Sequence, residues 1–319
     1  MKIGISDIAH ALPARVVTSK EIAEKHGFEE AFISEKLGIN SRRVADENET
    51  VASLGSKAAE RVLESANVKA NEVDLLIVVT QTPDYTLPHT SALIHQTLNL
   101  QKSVAAFDIS LGCSGFVYGL SIAENMMQQQ GMRTGLLVTS ETYSRLMAPD
   151  DRSTAPLFGD GAAATLLTAR DPIYTSGQFT FGTNGAEHHA LIAKGTGTRP
   201  GPREHLYMDG RGIFSFMMSE IPDDIEKCLA ANKLAIDDID LWVFHQASKY
   251  MLDVLAKKMH LPTDKVVVEM ADIGNTTSST IPIALERQVL SGNSNPKRVL
   301  ISGFGVGLSW ASTVLTRTE

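Results

Sequence analysis

The chain has 319 residues, of which 43% are hydrophobic and 21% charged, and its formal net charge is -8. These values are typical of a globular protein, and no stretch approaches the roughly 20 apolar residues that a membrane-spanning helix needs. The acidic balance argues against general nucleic-acid binding, because contacts to phosphate groups require a basic surface. We therefore expect a protein that binds neither nucleic acid nor membrane.

The amino-terminal segment predicts a first strand rather than a secretory signal, because Asp7 and His10 interrupt its apolar run. This favours a cytoplasmic protein. Two cysteines, Cys113 and Cys228, are too few for a disulfide framework, so both should be free thiols in a reducing compartment.

Strand-like and helix-like segments alternate along the chain. Runs rich in apolar and β-branched residues occupy 73–81, 103–110 and 134–141, and the segments between them carry apolar residues at helical spacing. This alternation predicts a layered α/β fold.

The later part of the chain repeats the pattern of the earlier part. EVDLLIVVTQ, from residue 72, is echoed by DIDLWVFHQ, from residue 238, and VAAFDISLGC, from residue 104, by VVVEMADIGN, from residue 266. Such self-similarity indicates an internal duplication. We predict two halves, 1–170 and 171–319, the second opening with a loop-rich segment at about 171–215.

The duplication places three chemically capable residues together. If the halves superpose, Cys113 at one strand-to-helix turn faces Asn275 at the other, and His245 ends a strand on the same rim. The carboxyl ends of strands and the amino termini of helices are where open α/β sheets bind ligands. We therefore expect a site at this rim.

Cys113 is the candidate nucleophile of that site. The first turn of a helix can lower the pKa of a thiol to about 3.5–7.5, so we predict a thiolate at neutral pH. Gly112, Ser114 and Gly115 leave room for a carbonyl group to approach the sulfur. Taken alone, such a turn favours a small packed core thiol, but with a histidine and an asparagine it favours a site that stabilises an oxyanion.

Two other features carry less chemistry. Glu187, His188 and His189 lack further ligand spacing in a flexible loop, so we predict no metal site there. Cys228 lies within a helical pattern and is predicted to be a packed thiol.

At these residues the chain resembles the β-ketoacyl-acyl-carrier-protein synthase III family of thiolase-fold condensing enzymes. The resemblance runs through essentially the whole chain. Five ordered motifs carry it, which are DISLGCSGFVYGL (108–120), DDRSTAPLFGDGAAA (150–164), FHQAS (244–248), GNTTSST (274–280) and GFGVGLSWAS (303–312).

The resemblance implies a thiolase-like, five-layered αβαβα homodimer that initiates fatty-acid synthesis by a ping-pong reaction. An acyl-CoA would acylate Cys113, after which malonyl-acyl-carrier protein would lose CO₂ and its carbanion would attack the acyl thioester. No metal or redox cofactor is implied, because loss of CO₂ drives the carbon–carbon bond.

The resemblance also assigns roles to residues around the nucleophile. The backbone N–H groups of Cys113 and Val306 would form the oxyanion hole for acyl transfer. His245 and Asn275 would donate hydrogen bonds to the malonyl thioester oxygen and stabilise the enolate, a role that needs a hydrogen-bond donor rather than a strong base.

Positions implied to bind the donor carry over with some changes. Phe32 and Lys36 fall where Trp and Arg are commoner around the adenine of CoA, Arg152 matches another CoA contact, and Gly210 and Phe214 match the tunnel wall. Lysine lacks the planar face of a guanidinium group.

Leu87 lies where a partner subunit commonly supplies a Phe at the bottom of the acyl pocket. The smaller side chain predicts a donor longer than acetyl.

The positions implied to meet the carrier protein depart further from the family. Ser248 replaces a usual Asn, and Tyr250 stands where an Arg is frequent. The predicted carrier-protein patch comprises Gln246, Ser248, Lys249, Tyr250 and Lys257.

Two alternatives stay open at this point. The first is an acyltransferase or condensing enzyme of the same fold whose acceptor is a specialised metabolite rather than a carrier protein. The second is a cysteine hydrolase, since papain-like proteases share the order Cys, His, Asn with a similar gap between the first two. The internal duplication and the nucleophile deep in the chain argue against the second.

Overall fold

A computed structural model of the chain describes residues 2–291 and 295–319. The strands are β1 (Gly4–Ala11), β2 (Arg15–Thr18), β3 (Ser41–Val44), β4 (Leu75–Val79), β5 (Ala105–Ile109), β6 (Thr134–Glu141), β7 (Gly161–Thr168), β8 (Tyr174–Ser176), β9 (Thr180–Thr183), β10 (Leu191–Ala193), β11 (Leu206–Met208), β12 (Leu241–Phe244), β13 (Arg298–Gly305) and β14 (Ser309–Arg317). The α-helices are α1 (Ser19–His26), α2 (Val51–Ser65), α3 (Thr90–Thr97), α4 (Gly115–Gln130), α5 (Gly210–Ala231), α6 (Lys249–Lys258) and α7 (Thr280–Leu285). The predicted strands at 73–81, 103–110 and 134–141 are confirmed as β4, β5 and β6.

The order of strand pairing is repeated in the two parts of the sheet. In the first part β4 runs parallel to β5 and β6, and β6 runs antiparallel to β7, which pairs with β1. In the second part β12 runs parallel to β13, and β13 runs antiparallel to β14. The short strand β8 pairs with both β1 and β14, so it joins the two parts into one sheet.

One predicted counterpart is not a strand. The segment 266–270, the expected match of β5, makes a single bridge between Val266 and Trp242. The reason lies in the side chain of Gln246, whose amide donates to the carbonyl of Val267 (3.2 Å) and accepts from the N–H of Glu269 (2.6 Å). These backbone groups are therefore satisfied by a side chain rather than by a strand ladder.

The helices form three layers around the strands. Apolar residues of α4 and α7, among them Phe116, Leu120 and Ile281, share a core with strands of both parts. Helices α2 and α3 cover the outer face of the first part, and α5 and α6 cover that of the second. The layers therefore alternate as helices, strands, helices, strands and helices, and the turns that carry Cys113 and Asn275 precede the two central helices.

The segment 171–215 is less irregular than predicted, since it contains β8, β9, β10 and β11. The division of the chain at residue 170 stays a prediction. Within the described residues, no helix is both long and apolar enough to cross a membrane.

Candidate active site

The thiol of Cys113 lies at the turn between β5 and α4, and the residue is only 5% exposed. The end of β13 passes directly against it. A Cβ on Gly305 would lie 2.9 Å from the Cys113 Sγ, and one on Gly303 would lie 2.7 Å from the Cys113 carbonyl oxygen. These two positions need glycine because the strand of one half packs on the nucleophile of the other.

Burial raises the pKa of the Cys113 thiol to about 12, and the nearby carboxyl of Glu141 adds to this rise. The backbone N–H groups of Cys113 and Val306 act in the opposite direction, since both face the sulfur. The predicted thiolate is therefore wrong, because desolvation outweighs the stabilisation available at the helix terminus. The N–H groups of Cys113 and Val306 are the two that are predicted to form the oxyanion hole, and both face the Cys113 sulfur.

His245 directly follows β12 and is 2% exposed. Burial lowers its pKa to about 3, so the imidazole is neutral at neutral pH. Its Nδ1 lies 2.8 Å from the Thr280 hydroxyl, which donates to the carbonyl of Thr277 at 3.0 Å. The ring is held edge-on to Phe304, with 5.8 Å between the ring centroids. His245 is therefore fixed in orientation and uncharged.

Asn275 presents its amide nitrogen to His245. The N–H of Thr277 donates to the Asn275 Oδ1 at 2.9 Å, which fixes the orientation of the amide. The Asn275 Nδ2 then lies 3.4 Å from the His245 Nε2. Because an amide nitrogen only donates, Nε2 is the acceptor in this arrangement and the proton of His245 resides on Nδ1.

Cys113, His245 and Asn275 open onto one cavity of about 560 Å³. Its walls also contain Gly210 and Phe214, the two predicted tunnel residues. Most of the remaining lining is apolar, from Leu37, Leu157, Phe158, Leu191, Met208, Ile213, Met251 and Phe304. The cavity thus brings a thiol, an imidazole and an amide together within a largely apolar lining, which suits a long substrate with a reactive carbonyl.

The predicted CoA contacts lie on the exposed surface. Phe32 is 43% exposed, and its ring stacks on that of Phe28 with centroids 5.5 Å apart. The Arg152 guanidinium lies 4.7 Å above the Phe28 ring and donates to the Gly27 carbonyl. Lys36 is exposed one turn beyond Phe32. Sequence reasoning missed Phe28, because it follows the turn at Gly27 outside any helix and meets Phe32 only in the folded chain.

Two members of the predicted carrier-protein patch are buried. Gln246 is fully buried, with its amide bonded to the backbone as described above, so its assignment as a carrier-protein contact is wrong. Ser248 is 5% exposed and caps α6 by accepting from the N–H of Met251. Ser248 therefore lines the cavity rather than the outer surface.

The rest of the predicted patch lies on α6. Tyr250 is half exposed and stacks on Phe214, with 6.1 Å between ring centroids, at the cavity wall. Lys249 is paired with Asp253 at 2.6 Å, and Lys257 is exposed. The exposed Arg211, which also lines the cavity, was missed, although Gly210 and Phe214 of the same segment were predicted.

Three further predicted features lie outside this cavity. Leu87 is 84% exposed in the loop between β4 and α3. Cys228 is buried in α5, so its prediction as a packed thiol is confirmed. His188 and His189 are exposed, and within residues 2–291 and 295–319 no group of three or more His, Cys, Asp or Glu side chains is placed to hold a metal ion.

Comparison with known proteins agrees with the geometry. Residues 107–185 match the family profile described as 3-oxoacyl-[acyl-carrier-protein] synthase III, and residues 229–317 match the profile of its C-terminal part. The β-ketoacyl-[acyl-carrier-protein] synthase III of Acidiphilium cryptum is 36% identical over 314 residues, covering 98% of both chains. That of Rhizobium meliloti is 38% identical over 311 residues, covering 96% of both. A crystal structure of a 3-oxoacyl-(acyl-carrier-protein) synthase III superposes with a TM-score of 0.95 at 37% identity, covering 99% of this chain and 100% of that one.

The chain belongs to the β-ketoacyl-acyl-carrier-protein synthase III family, and it is an acyltransferase with the thiolase-like fold. The predicted family, fold class and enzyme class are confirmed. The cysteine-hydrolase alternative is wrong, since family and fold are both those of condensing enzymes.

Proposed function

We propose that this chain condenses an acyl-CoA with malonyl-acyl-carrier protein, with loss of CO₂, through an acyl-Cys113 intermediate. The observation that carries the proposal is the meeting of a thiol, two backbone N–H donors, an imidazole and an oriented amide in one largely apolar cavity. The product would be the first 3-oxoacyl chain of fatty-acid synthesis.

In the first step the Cys113 sulfur attacks the thioester carbonyl of the acyl-CoA. The thiol has to lose its proton as the bond forms, and the lone pair on the His245 Nε2 is the acceptor in the same cavity. The N–H groups of Cys113 and Val306 stabilise the tetrahedral oxyanion, a contribution of about 2.7–4 kcal/mol for each donor. The CoA thiolate then leaves and takes up the proton.

In the second step the bond between the malonyl α-carbon and its carboxylate breaks. CO₂ leaves, and the electron pair passes to the thioester oxygen as an enolate. Donors at this oxygen are the Asn275 Nδ2 and the His245 Nε2. For His245 this requires the neutral ring to change tautomer, so that Nδ1 gives up its proton, Nε2 takes one up, and the Thr280 hydroxyl turns from the Thr277 carbonyl to donate to Nδ1. The enolate carbon attacks the acyl carbonyl on Cys113, and the sulfur leaves and is reprotonated.

The acyl-CoA would be held outside the channel by the aromatic and basic surface of Phe28, Phe32 and Arg152. Planar rings and a guanidinium group offer flat faces for an adenine base and positive charge for its phosphates. We expect Phe28→Ala and Phe32→Ala to raise the KM for acyl-CoA several-fold with little change in kcat. An unchanged KM in both variants would place the adenine elsewhere.

We also propose that the chain acts as a homodimer that pairs through β5. Strands β5 and β12 lie at the two ends of the pairing order of the large sheet. All five residues of β5 are partly exposed, whereas three of the four residues of β12 are buried. An exposed edge strand such as β5 pairs readily with another chain. Phe107 and Ile109 add apolar surface to it. The predicted mass by light scattering is twice that of the chain, and Phe107→Lys should yield the monomer.

One observation favours an acceptor other than a carrier protein. The mouth of the cavity carries the stacked pair Tyr250 and Phe214, and Lys249 is neutralised by Asp253. Arg211 at the start of α5, and Lys257 and Lys258 at the end of α6, are exposed cations that remain to meet an acidic carrier. The second candidate is therefore a reaction whose acceptor is a small molecule that packs against these two aromatic rings.

The test uses the intact protein and a set of acyl-CoAs. The proposal predicts a mass increase equal to the acyl group, lost in Cys113→Ala, and a 3-oxoacyl product when malonyl-carrier protein is added. No adduct with any acyl-CoA would contradict the main proposal. An adduct that yields product with malonyl-CoA but not with malonyl-carrier protein would support the second candidate.

A further inference from the structure

A second cavity, of about 340 Å³, lies between helix α1, the strands β2 and β3, and the segment 144–155. It shares no lining residue with the cavity that contains Cys113. The segment 144–155 supplies an uncharged wall. The titratable residues of the lining are Arg15, Glu21, Lys25, His26 and Arg42. Three of these are cations and one is a carboxylate, so the cavity is positively charged.

The strands β2 and β3 bring two arginines to one face. In their antiparallel register Arg15 pairs with Val44, and Val17 pairs with Arg42. Because residues two apart in a strand point to the same face, these four side chains lie together, and all four line the cavity. Diagonal neighbours across such a pair of strands are about 7–8 Å apart. Arg15 and Arg42 therefore repel each other across the cavity wall, and an anion between them would relieve the repulsion.

Arg42 is the buried member of this pair, with only 8% of the residue exposed. Its Nη1 donates to the Phe158 carbonyl at 2.9 Å, and its Nε has no partner in the protein. Within the part of the chain that the structure describes, Arg42 forms no ion pair. The Asp160 carboxyl acts on it from a greater distance and accepts from the N–H groups of Ala45 and Ser144. A buried charge without a close partner is costly, and an anion in the cavity would supply one.

Helix α1 adds a lysine and a histidine to the lining. Both Lys25 and His26 lie in its last turn. Lys25 is exposed and, among residues 2–291 and 295–319, has no ion-pair partner. His26 is buried, which lowers its pKa, and the charges of Lys25 and Arg42 lower it further, so the ring is neutral at neutral pH. A neutral imidazole can donate one hydrogen bond to an anion.

The carboxylates near the cavity do not neutralise these cations. Glu21 accepts from the N–H and the hydroxyl of Thr18, at 2.7 and 2.8 Å, in the cap of α1, and its charge acts on Arg15. The Asp151 carboxyl, which acts on His26, accepts from backbone N–H groups of its own turn. Positive charge is therefore left over for a ligand.

A phosphate group matches this lining. It carries up to two negative charges near neutral pH, guanidinium groups bind its oxygens in pairs, and lysine binds it as a point charge. The cavity volume of about 340 Å³ is also some ten times the ~30 Å³ that one water molecule takes up in the liquid. A small organic group therefore fits beside the phosphate.

We propose that this cavity is a phosphate-binding site for a small molecule other than the acyl-CoA, either inorganic phosphate or a small phosphate monoester. The proposal goes beyond the condensation reaction and does not rest on it, because the two cavities have separate linings.

The experiment measures binding of radiolabelled inorganic phosphate by equilibrium dialysis, at an ionic strength held constant with NaCl. We expect one phosphate per natural chain, and a Tm that rises as the site fills. A protein with both Arg15→Gln and Lys25→Gln loses two lining cations but keeps the contact between Arg42 and Phe158. It should bind phosphate at least about tenfold more weakly. Lys20→Gln removes an exposed cation of α1 outside the lining and should bind phosphate as the natural chain does.

Two further measurements identify the molecule that carries the phosphate. Glycerol 3-phosphate competes with the labelled phosphate in the first, where tighter binding of the monoester or of inorganic phosphate names the preferred ligand, and either result upholds the site. The second repeats the dialysis on Cys113→Ala with saturating acetyl-CoA. Unchanged phosphate binding would uphold a separate site, whereas displacement by acetyl-CoA would overturn it.

The inference is also overturned if the natural chain binds no phosphate, or if the doubly substituted protein binds it equally well. Should that protein not fold, as judged by thermal unfolding, Lys25→Gln alone takes its place, with a smaller loss of affinity in the same direction. Acyl adducts on Cys113 should form in all of these proteins except Cys113→Ala, so failure of the proposed function would be seen independently.

Discussion

The turns before α4 and α7 occupy matching places in the repeated fold, but they hold the opposite kinds of chemistry. The first places the Cys113 sulfur against two backbone N–H groups. The second places the side-chain amide of Asn275 next to the His245 ring, and uses the N–H of Thr277 to orient that amide. One turn therefore stabilises charge with its backbone, and the other with side chains that its backbone aligns.

This difference suggests a division of labour between two half-reactions. Backbone donors fixed at the sulfur suit the oxyanion formed on a bound acyl group, whose position is set by the covalent bond. Side-chain donors can be reoriented by their partners, as Thr280 can change its bond to His245. They suit the second substrate, which binds without a covalent bond.

Loss of the nucleophile should have the largest effect. We expect Cys113→Ala to lower condensation by at least about 10⁴-fold, because no acyl-enzyme can form. Product formation from acyl-CoA and malonyl-carrier protein measures this. Condensation that persists at near the natural rate would mean that another residue carries the acyl group.

Loss of either side-chain donor should affect the second half-reaction most, and in Asn275→Ala that half-reaction alone. We expect His245→Ala and Asn275→Ala to lower CO₂ release by about 10²–10³-fold, since each removes one donor to the enolate. Acyl adducts on Cys113 should still form in both, at a reduced rate in His245→Ala. An Asn275→Ala protein that cannot be acylated would contradict the assignment of Asn275 to the second turn's chemistry alone.

Thr280 should act as a positioning residue for His245. Thr280→Val keeps the shape of the side chain but removes the hydroxyl beside Nδ1, and we expect it to lower kcat for CO₂ release by about tenfold. The rate of acyl-adduct formation and the KM for malonyl-carrier protein should change little, and Thr280→Ser should restore the rate. Equal losses in both half-reactions would indicate a structural role.

The smallest expected effect is on the stability of the protein, through Glu141, which lies next to both turns. Glu141 is buried beside Cys113 and lies 3.5 Å from the Ser278 hydroxyl, and burial raises its pKa from 4.5 to about 8. The folded chain therefore holds more protons than the unfolded chain between these pH values, and stability falls as pH rises through that window. We expect the Tm to fall less in Glu141→Gln than in the natural chain between about pH 6 and pH 8.5. If the Tm of the two proteins, measured by thermal unfolding, fell equally over this pH range, Glu141 would not be the group responsible.

Much of the fold could be predicted because both halves of the internal repeat show the same pattern of hydrophobic residues. The same repeat indicated that Cys113, His245 and Asn275 lie together at one rim of the sheet. The segment 266–270 has the hydrophobic pattern of a strand but does not form one. The Gln246 side chain hydrogen-bonds to backbone groups that would otherwise pair with a neighbouring strand. Because these hydrogen bonds join residues that are distant in sequence, the sequence did not indicate that Gln246 is buried.

The protonation of Cys113 could not be predicted from local sequence. The helix terminus argued for a thiolate, but burial depends on how β13 packs over the turn, which only the folded chain defines.

The most direct test of the division between the two turns is CO₂ release from malonyl-carrier protein by Cys113→Ala. The account predicts that this protein still releases CO₂, because the donors of the second turn are intact, while it forms no acyl adduct. If Cys113→Ala folds normally yet its CO₂ release falls to the level of the His245→Ala and Asn275→Ala proteins, the two turns do not divide the chemistry.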